Sequence, residues 1–485
     1  MATEIKSLKP NAVWSYFYEL TQRPRPTFHS QIVGKYIFEE GKRLGLDTEM
    51  DEIGNVIIRK PATPGMEGKP TVTFQAHMDM VPQKDANIEH DFEKDPIDAY
   101  IDGDWVTARG TTLGADDGMG VALALAIMAD KDIKHGPIEA LITVDEEVGM
   151  DGANNLQPGF SKGDILINID SEAEGQLFVG CAGGVDVNVS LEYKDECECP
   201  ASDVAFKVSL SGLKGGHSGL DINIGRANAN KLINRFLKEA VEYYGARLAW
   251  LEGGSLRNAI PRDATAIITM TDDENISALW ELVSDYQDLF NEEFKGIENN
   301  IIFKIEKVET PKTLIPEEIQ DALINSVEAC VNGAISMLTD FPGTVESSTN
   351  LAKIIAHDGK VDIVFLVRSS SESRKEWVAS ALESAFTLGG FKVEFEGSYN
   401  GWQPNIKSKA LEMLRKSIVK VYKKEPEVLV MHAGLECGII QGVMPNMDMI
   451  SIGPEIKSPH SPEEKVLISS VEKLWYVLTD ALENL

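Results

Sequence analysis

Imidazole and carboxylate side chains follow short apolar runs in this sequence, and these residue types suit metal-assisted hydrolysis. The first apolar run, residues 72–76, leads into His77 and Asp79. If side chains alternate along a strand, these two residues share one face. A neutral imidazole is a good zinc ligand, and a nearby carboxylate can fix its tautomer. A core histidine beside a turn aspartate would give the same pattern, so the pair alone does not decide between the two.

Carboxylates recur in similar positions at three further places. The sequence GADDG, which contains Asp116, opens a strongly apolar helical run, where free backbone amides favour a carboxylate. One apolar strand ends in three consecutive acids, including Glu146 and Glu147, and another ends in Asp170. A helix cap or a solvated loop would explain single cases, but the repetition indicates a shared site.

The elements that must position these side chains are strands alternating with helices. This alternation predicts an α/β fold with an open, largely parallel sheet that is covered on both faces. In such sheets, sites form outside the carboxyl ends of the strands. One imidazole and several carboxylates at one edge would repel each other without cations. The sequence therefore predicts a divalent metal site, and the number of acids suggests two ions.

The middle of the chain, residues 185–400, has a different pattern. A strand-helix-strand-strand-helix-strand order is followed by nearly the same order again over residues 315–398, which suggests an internal duplication. This region contains the sequence KGGHSG with His217, and Arg368 at the end of an apolar strand. Asn258 and Asn350 occupy roughly equivalent positions in the two halves. We predict an inserted domain at 185–400 between two parts of a catalytic domain, 1–184 and 401–485.

The last part of the chain supplies a second candidate imidazole ligand. His460 lies in a proline-bounded loop, and residues 461–464 then predict a helix capping box with proline at the first helical position. Earlier in this part, His432 and Glu436 belong to the glycine-containing segment HAGLECG. Both could shape a pocket, although such a segment can also be purely structural.

Composition limits the classes of function. The chain has 485 residues with a net charge of −31, which argues against a nucleic-acid partner because phosphate binding needs a basic surface. No stretch reaches about 18 uncharged apolar residues, so no membrane span is expected. The five cysteines are scattered and odd in number, which predicts a reducing compartment and a cytoplasmic location.

Taken together, the motifs resemble the zinc-dependent dipeptidase, carboxypeptidase and aminoacylase superfamily that includes carnosinase. The resemblance covers essentially the whole chain and rests on H-x-D, G-A-D-D-G, D-E-E-x-G, I-D-S, G-G-H-S-G and a late P-H. The length, the long middle region and the HAGLECG segment look most like the bacterial aminoacyl-histidine dipeptidases. The implied fold is an α/β zinc-peptidase catalytic domain with a mixed sheet flanked by helices, plus an inserted α+β lid domain of two similar halves.

The resemblance also implies roles for individual residues. It assigns His77 and Asp170 to one zinc ion, Glu147 and His460 to a second zinc ion, Asp116 to the bridge between them, Glu146 to the general base, and Asp79 to the orientation of His77. The peptide between Asp116 and Asp117 is expected to be cis. From the lid, His217 would stabilise the oxyanion or hold the substrate carboxylate. Asn258, Arg368 and Glu436 are expected to bind substrate, and Asn350 competes with Asn258 for that role.

The implied activity is hydrolysis of dipeptides by metal-activated water, with histidine preferred at the carboxyl-side position, as in beta-alanyl-histidine. Mn²⁺ or Co²⁺ could replace Zn²⁺. Two alternatives stay open: a tripeptidase or N-acyl amino acid deacylase of the same superfamily, and a non-catalytic metal-binding protein on the same fold. The expected partner is a small peptide, with neither nucleic acid nor membrane, and a homodimer is favoured over a monomer.

Overall fold

The computed structural model of the chain describes residues 2–194, 197–271 and 275–485. Its helices in chain order are α1 (Ala2–Ser7), α2 (Asn11–Thr21), α3 (Gln31–Arg43), α4 (Ala115–Ala129), α5 (Asp151–Asn154), α6 (Ala229–Tyr244), α7 (Asn275–Glu293), α8 (Glu317–Ala329), α9 (Glu372–Leu388), α10 (Lys409–Tyr422), α11 (Glu436–Val443) and α12 (Ile468–Glu483). Within these ranges, we find no helix with the combined length and apolar character that crossing a bilayer requires.

Its strands in chain order are β1 (Asp47–Met50), β2 (Val56–Lys60), β3 (Val72–His77), β4 (Ala99–Asp102), β5 (Trp105–Ala108), β6 (Ile138–Thr143), β7 (Ile165–Asn168), β8 (Gln176–Cys181), β9 (Gly183–Glu192), β10 (Cys197–Glu198), β11 (Asp203–Ser211), β12 (Gly216–His217), β13 (Arg247–Gly253), β14 (Ala259–Ile260), β15 (Ala264–Thr271), β16 (Ile302–Val308), β17 (Thr313–Leu314), β18 (Gly333–Met337), β19 (Val345–His357), β20 (Lys360–Ser369), β21 (Lys392–Tyr399), β22 (Glu427–Met431), β23 (Asp448–Ser451), β24 (Ile456–Lys457) and β25 (Lys465–Leu467).

The chain forms two compact units. The first comprises Met1–Gly180, Trp402–Val430 and Leu435–Leu485, and the second comprises Cys181–Gly401 and Met431–Gly434. Each unit is built around its own large sheet. Whether the segments 1–184, 185–400 and 401–485 act as separate domains stays a prediction.

The first unit contains an eight-stranded mixed sheet with the order β1-β2-β6-β3-β7-β23-β8-β22. Its centre is parallel, because β3 runs parallel to both β6 and β7, and β23 runs parallel to β7. Strands β1, β2 and β8 pair antiparallel towards the edges. The mixed sheet implied by the resemblance is confirmed. His77 lies opposite Thr143, and Gln75 lies opposite Asn168, so the segments that follow β3, β6 and β7 leave the sheet at one edge.

The central strands of this sheet are buried on both faces. Every residue of β3 and β6 is buried, as expected for parallel strands covered by helices. Helix α4 covers part of the sheet, and its residues 115–128 are all buried. It packs against α2 and β3, which explains why the helix is apolar all round. The helix therefore begins beside the end of β3.

The second unit is an antiparallel sheet with helices, and its two halves have the same strand order. The order is β16-β11-β15-β13-β19-β20-β9-β21, with β18 paired to β19. The central pair of the sheet is β13 and β19. Outwards from β13 the strands are β15, β11 and β16, and outwards from β19 the corresponding strands are β20, β9 and β21. In the chain, the order α8, β19, β20, α9, β21 repeats α6, β13, β15, α7, β16. The predicted α+β character and the two similar halves are confirmed.

Two local predictions for the first unit are wrong. The charged residues 83–108 show no clear period and suggest only an excursion over the surface, yet β4 and β5 form a hairpin there in which Asp102 lies opposite Trp105, and β25 extends it. The expected capping box at residues 461–464 is also absent, because β25 follows this segment and α12 begins only at Ile468. The physical reason is that the Glu464 carboxylate accepts backbone N–H groups of residues 113–116 instead of capping its own helix.

Candidate metal centre

Five side chains from distant parts of the chain meet at the edge where the parallel strands end. His77 ends β3, Glu147 lies shortly after β6, and Asp170 lies two residues after β7. Asp116 lies in the first turn of α4. His460 comes from the loop between β24 and β25 and has a φ of 59°. The structure thus brings together all five residues that the sequence predicts as metal ligands.

Asp116 lies between two imidazoles and turns one oxygen towards each. Its Oδ1 is 3.2 Å from His77 Nε2, and its Oδ2 is 3.0 Å from His460 Nε2. His77 Nε2 is also 3.3 Å from Asp170 Oδ1, and His460 Nε2 is 3.0 Å from Glu147 Oε2. The cluster therefore divides into two groups of three ligands that share Asp116.

These separations fit a tetrahedrally coordinated divalent ion. Zinc ligands at about 2.0–2.2 Å in a tetrahedron lie about 3.3–3.6 Å from one another. The separations of the paired imidazole and carboxylate atoms, 3.0 to 3.3 Å, are close to the lower end of that range. Glu147 Oε1 is buried and has no hydrogen-bond partner among the described residues, as expected for an oxygen that binds a cation. The residues present therefore fit the metal that they were predicted to bind.

Glu146 also lies close to this cluster. Its carboxylate forms a third group with His77 and Glu147, in which one ligand atom from each lies within 4.8 Å of the others. Position alone therefore does not distinguish a metal ligand from a general base at residues 146 and 147. Burial raises the pKa of Glu146 well above its usual range.

The electrostatics of the cluster favour protons on the imidazoles when no cation is bound. Hydrogen bonds to Asp116 and Glu147 raise the pKa of His460 to about 11. Burial opposes a charge on His77, but the neighbouring carboxylates, Asp170 foremost, raise its pKa well above the ordinary value. Burial also raises the pKa of Asp170 to about 6. Metal ligands must be deprotonated, so a bound cation would replace these protons.

Asp79 contacts more of the site than the sequence indicated. Its Oδ1 lies 3.3 Å from His77 Nδ1, which agrees with the predicted orienting contact. It also accepts the backbone N–H of Glu146 at 3.1 Å and, through Oδ2, that of Glu147 at 3.4 Å. The Thr27 hydroxyl donates to Oδ2 at 2.9 Å. One carboxylate thus links the end of β3 to the backbone of both glutamates.

The two adjacent aspartates of the GADDG motif have different contacts. The peptide between Asp116 and Asp117 is cis, as the resemblance implies. Asp117 Oδ1 accepts the N–H of Gly120 at 3.1 Å, and its Oδ2 accepts the N–H of His77 at 3.3 Å. The glycine at residue 120 allows this close approach, because a Cβ there would collide with the Asp117 carboxylate and displace it. Asp117 is the helix cap, which leaves the Asp116 carboxylate facing the imidazoles.

Sequence reasoning missed several buried polar residues behind the cluster. Arg25 donates to the carbonyl oxygens of Met78 and Asp79 at 3.0 and 2.9 Å. Neither Arg25 nor Thr27 belongs to a periodic or spaced motif that could have identified it. Glu464 is one of the acids that follow His460 in the sequence, but this sequence pattern predicts a helix cap and does not indicate a contact with the site.

Glu436, predicted to bind substrate, is fully buried at the start of α11. Its Oε2 accepts the side-chain amide of Gln75 at 2.5 Å and the hydroxyl of Thr143 at 2.7 Å. Burial raises the pKa of Glu436 to about 7. These contacts attach α11 to β3 and β6, and a contact with substrate stays a prediction.

In the second unit, His217 is held in one tautomer. Its Nδ1 accepts the backbone N–H of Gly219 at 3.1 Å and of Leu220 at 3.0 Å. Because Nδ1 is an acceptor, the proton of the neutral ring must be on Nε2. Burial, assisted by the charge of Arg368, lowers the pKa of His217 to about 4. At neutral pH this side chain is therefore an uncharged N–H donor.

Arg368 is a buried cation in the same unit, with 5% of its surface exposed. Its guanidinium donates to the Tyr399 hydroxyl at 3.0 Å, and its buried Nε has no hydrogen-bond partner among the described residues. His432 lies 2.7 Å from the Ser348 hydroxyl, and burial together with the Arg368 charge lowers its pKa to about 3. Buried charges are normally paired, so this buried guanidinium suits an anionic ligand.

The two candidate asparagines of the second unit differ in exposure. Asn350 is fully buried, and its side-chain amide donates to the backbone oxygen of Ala259 at 2.8 Å. Asn258 is exposed, and its backbone oxygen accepts the N–H of Ser218 at 2.8 Å. Of the two side chains, only that of Asn258 is accessible to a ligand.

A comparison with known proteins identifies the family to which the chain belongs. The sequence model of peptidase family M20/M25/M40 matches residues 73–484, a range that contains all five residues of the metal cluster. The chain belongs to peptidase family M20/M25/M40. It is therefore an enzyme that hydrolyses peptide bonds, and its M20/M25/M40 membership implies a divalent metal.

Similar proteins agree with the membership in M20/M25/M40. The cytosol non-specific dipeptidase of Escherichia coli K12 is 44% identical over 483 residues, covering 100% of this chain and 99% of the relative. The crystal structure of an aminoacylhistidine dipeptidase from Vibrio alginolyticus has a TM-score of 0.93 at 45% identity, covering 99% and 98% of the two chains. The aminopeptidase PepT from Bacillus cereus ATCC 10987, with a TM-score of 0.57, 18% identity and 98% coverage of both chains, shares the fold. The resemblance inferred from the motifs is confirmed.

Proposed function

We propose that this M20/M25/M40 peptidase is a dinuclear-metal dipeptidase that cleaves Xaa-His dipeptides such as beta-alanyl-histidine. The observation that carries the proposal is the position of Asp116, whose two oxygens lie 3.2 and 3.0 Å from the two imidazoles His77 and His460. The names of the relatives support a dipeptidase, and the Vibrio relative is named for aminoacyl-histidine substrates.

In this proposal His77 and Asp170 hold one ion, Glu147 and His460 hold the other, and Asp116 is shared. Zinc is the proposed metal, with Mn²⁺ or Co²⁺ as alternatives, because imidazole and carboxylate ligands suit each of them. When bound, such ions lower the pKa of a water molecule and polarise the substrate carbonyl.

Glu146 is the proposed general base, which takes a proton from the attacking water and delivers it to the leaving amine. The contact of Asp79 with the Glu146 backbone holds this residue in place. His217 is proposed to donate its Nε2–H to the carbonyl oxygen as negative charge develops there. Because the pKa of His217 is lowered to about 4, its ring is neutral at pH 7. The one proton of the neutral ring is on Nε2, so the ring can donate it in a hydrogen bond without carrying a charge.

Substrate binding is assigned to the predicted lid, residues 185–400, and to Glu436. Arg368 is proposed to bind the free carboxylate of the dipeptide, because its guanidinium is buried and its Nε has no hydrogen-bond partner among the described residues. Asn258 is proposed to bind the substrate backbone, and Glu436 to contribute to the pocket. A cytoplasmic location and a homodimer complete the proposal, and the name of the Escherichia coli relative supports the location.

The test is hydrolysis of a peptide panel by protein stripped of metal and by the same protein after zinc is restored. The panel contains beta-alanyl-histidine, glycyl-histidine, leucyl-glycine, a tripeptide and an N-acetyl amino acid. Zinc-dependent cleavage confined to the two histidine dipeptides supports the full proposal. Cleavage of leucyl-glycine at a similar rate keeps the dipeptidase and refutes the histidine preference. Cleavage of the last two substrates alone favours a tripeptidase or a deacylase, and no cleavage with any metal refutes the mechanism.

A further inference from the structure

Glu464 is a buried carboxylate that binds four consecutive backbone amides. Its Oε2 accepts the N–H groups of Leu113 and Gly114 at 2.8 and 2.9 Å. Its Oε1 accepts those of Ala115 and Asp116 at 2.7 and 3.2 Å. The first amides of a helix have no partner within the helix, and here one side chain with 1% exposure satisfies the amides that lead into α4. The last of the four amides belongs to the shared metal ligand.

The same loop is also held from its carbonyl side. Arg25 donates to the carbonyl oxygen of Gly114 and to those of Met78 and Asp79, which follow the metal ligand His77. Gly114 has a φ of 71°, and a Cβ there would collide with the Arg25 guanidinium. Residue 114 is thus bound through its N–H by a carboxylate and through its C=O by a guanidinium. Its position relative to the end of β3 is thereby fixed.

Glu464 connects this loop to the segment that carries the second imidazole. It lies four residues after His460. Its backbone N–H donates to the Ser461 carbonyl at 3.0 Å, and its backbone oxygen accepts the Thr107 hydroxyl at 2.7 Å. The short segment 460–464 therefore supplies a metal ligand and the carboxylate that holds the backbone of Asp116. Any shift of Glu464 would move these two parts of the centre relative to each other.

We propose that Glu464 is a positioning residue that sets the spacing of Asp116 and His460 for two metal ions. The inference rests on the metal centre of the proposed function. A buried carboxylate is a poor source of stability, because its desolvation opposes folding even when it is well hydrogen-bonded. A neutral acceptor or a water molecule could satisfy single amides. The two oxygens of Glu464 together accept all four amides, and they thereby hold the backbone from which the Asp116 side chain extends.

The test is Glu464→Gln in the full-length protein. The amide keeps one acceptor oxygen and turns its NH₂ towards two backbone donors, so two of the four hydrogen bonds are lost. We expect zinc affinity to fall about 10- to 100-fold, as for other changes behind metal ligands. The loss should be greatest for the ion held by Asp116, Glu147 and His460, because two of its three ligands depend on Glu464. Competition with a chromophoric chelator gives the affinities, and elemental analysis after dialysis gives the zinc content per chain.

The matched control is Glu463→Gln, the same chemical change one residue away on an exposed side chain. It should bind zinc as the parent does. With zinc in excess, Glu464→Gln should lower kcat more than it raises KM on a dipeptide, whereas a merely structural role would change the melting temperature and leave the zinc affinity unaltered.

Three results would overturn the inference. One is parental zinc affinity and content in Glu464→Gln, whatever its melting temperature. If Glu464→Gln does not fold, the variant to measure is Glu464→Asp, which keeps the carboxylate but shortens the side chain by one methylene. Unaltered zinc affinity in Glu464→Asp also refutes the inference. If the parent protein binds no divalent metal, the proposed function fails and the inference fails with it. Measuring zinc binding by the parent protein distinguishes this third result from the first two.

Discussion

Glu146 and Glu147 are adjacent acids with different proposed tasks, and exchanging each for glutamine should separate these tasks. Both carboxylates lie close enough to His77 to form one candidate metal group. Glu147 Oε2 is also 3.0 Å from His460 Nε2. No described hydrogen bond engages the Glu146 side chain. We therefore expect Glu146→Gln to bind metal and lose turnover, and Glu147→Gln to lose metal.

The magnitudes follow from these contacts. General acid–base catalysis contributes about 10²- to 10⁴-fold in rate, so Glu146→Gln should raise the barrier by about 3 to 5 kcal/mol. Its zinc content should equal that of the parent. Glu147→Gln removes the charge of a proposed direct ligand whose Oε1 has no hydrogen-bond partner among the described residues. Changes behind metal ligands already cost about 10- to 100-fold in affinity, so this change should cost at least as much.

The assay is kcat on a dipeptide substrate together with zinc content after dialysis against a defined free-zinc concentration. Asp145→Asn is the matched control, because Asp145 belongs to the same acidic run but its Oδ1 accepts the Phe28 N–H at 2.7 Å. It should keep both properties. Loss of zinc in Glu146→Gln with retention in Glu147→Gln would reverse the assignment. Full turnover in Glu146→Gln would refute the mechanism.

Three further predictions concern buried groups. Burial raises the pKa of Glu436 to about 7, so the metal-free protein loses stability as pH rises from about 4.5 through 7. Glu436→Gln should therefore raise the melting temperature at pH 8, and a lower melting temperature would contradict the raised pKa. His217 should show an unprotonated Nδ1 and a protonated Nε2 in ¹⁵N NMR down to pH 5. A proton on Nδ1 of the neutral ring would contradict the tautomer, and a titration near pH 6.5 would contradict the lowered pKa. Arg368→Met should raise KM for a dipeptide with a free carboxylate but not for its C-terminal amide, and Arg368→Lys should raise KM for the free dipeptide by less. Equal changes in KM for both substrates would contradict the carboxylate contact.

The parts of the fold that local patterns specify were predictable from the sequence. Helix α10, at Lys409–Tyr422, is one such element, because Ser408 caps its start and one of its faces is apolar. Strands β3, β6 and β7 were predictable because each is a short apolar run followed by an acid or an imidazole. Parallel strands leave a sheet at the same edge, so the meeting of their following residues could be inferred without knowledge of the register.

The parts that depend on distant partners were not predictable. The hairpin of β4 and β5 lies in a charged stretch without clear period, and β25, from the far end of the chain, completes its sheet. Glu464 follows His460 in a pattern typical of a helix cap, but its partners lie about 350 residues earlier in the chain. A local sequence pattern carries no information about such partners. For the same reason, nothing in the sequence near Arg25 indicates that it binds the backbone beside the site.

The acids of the first unit can be sorted by what their oxygens contact, and this sorting supports the roles that the motifs suggest. Asp79 and Glu464 use their oxygens mainly on backbone N–H groups, so they fix the chain and have little capacity left for a cation. Asp116 and Glu147 turn oxygens towards imidazoles at 3.0 to 3.2 Å. Among the described residues, Glu146 forms hydrogen bonds through its backbone and none through its carboxylate, which leaves that carboxylate available for proton transfer. The different tasks that we propose for these acids, positioning the chain, binding metal and accepting a proton, thus follow from the hydrogen-bond donors that the fold places around each of them.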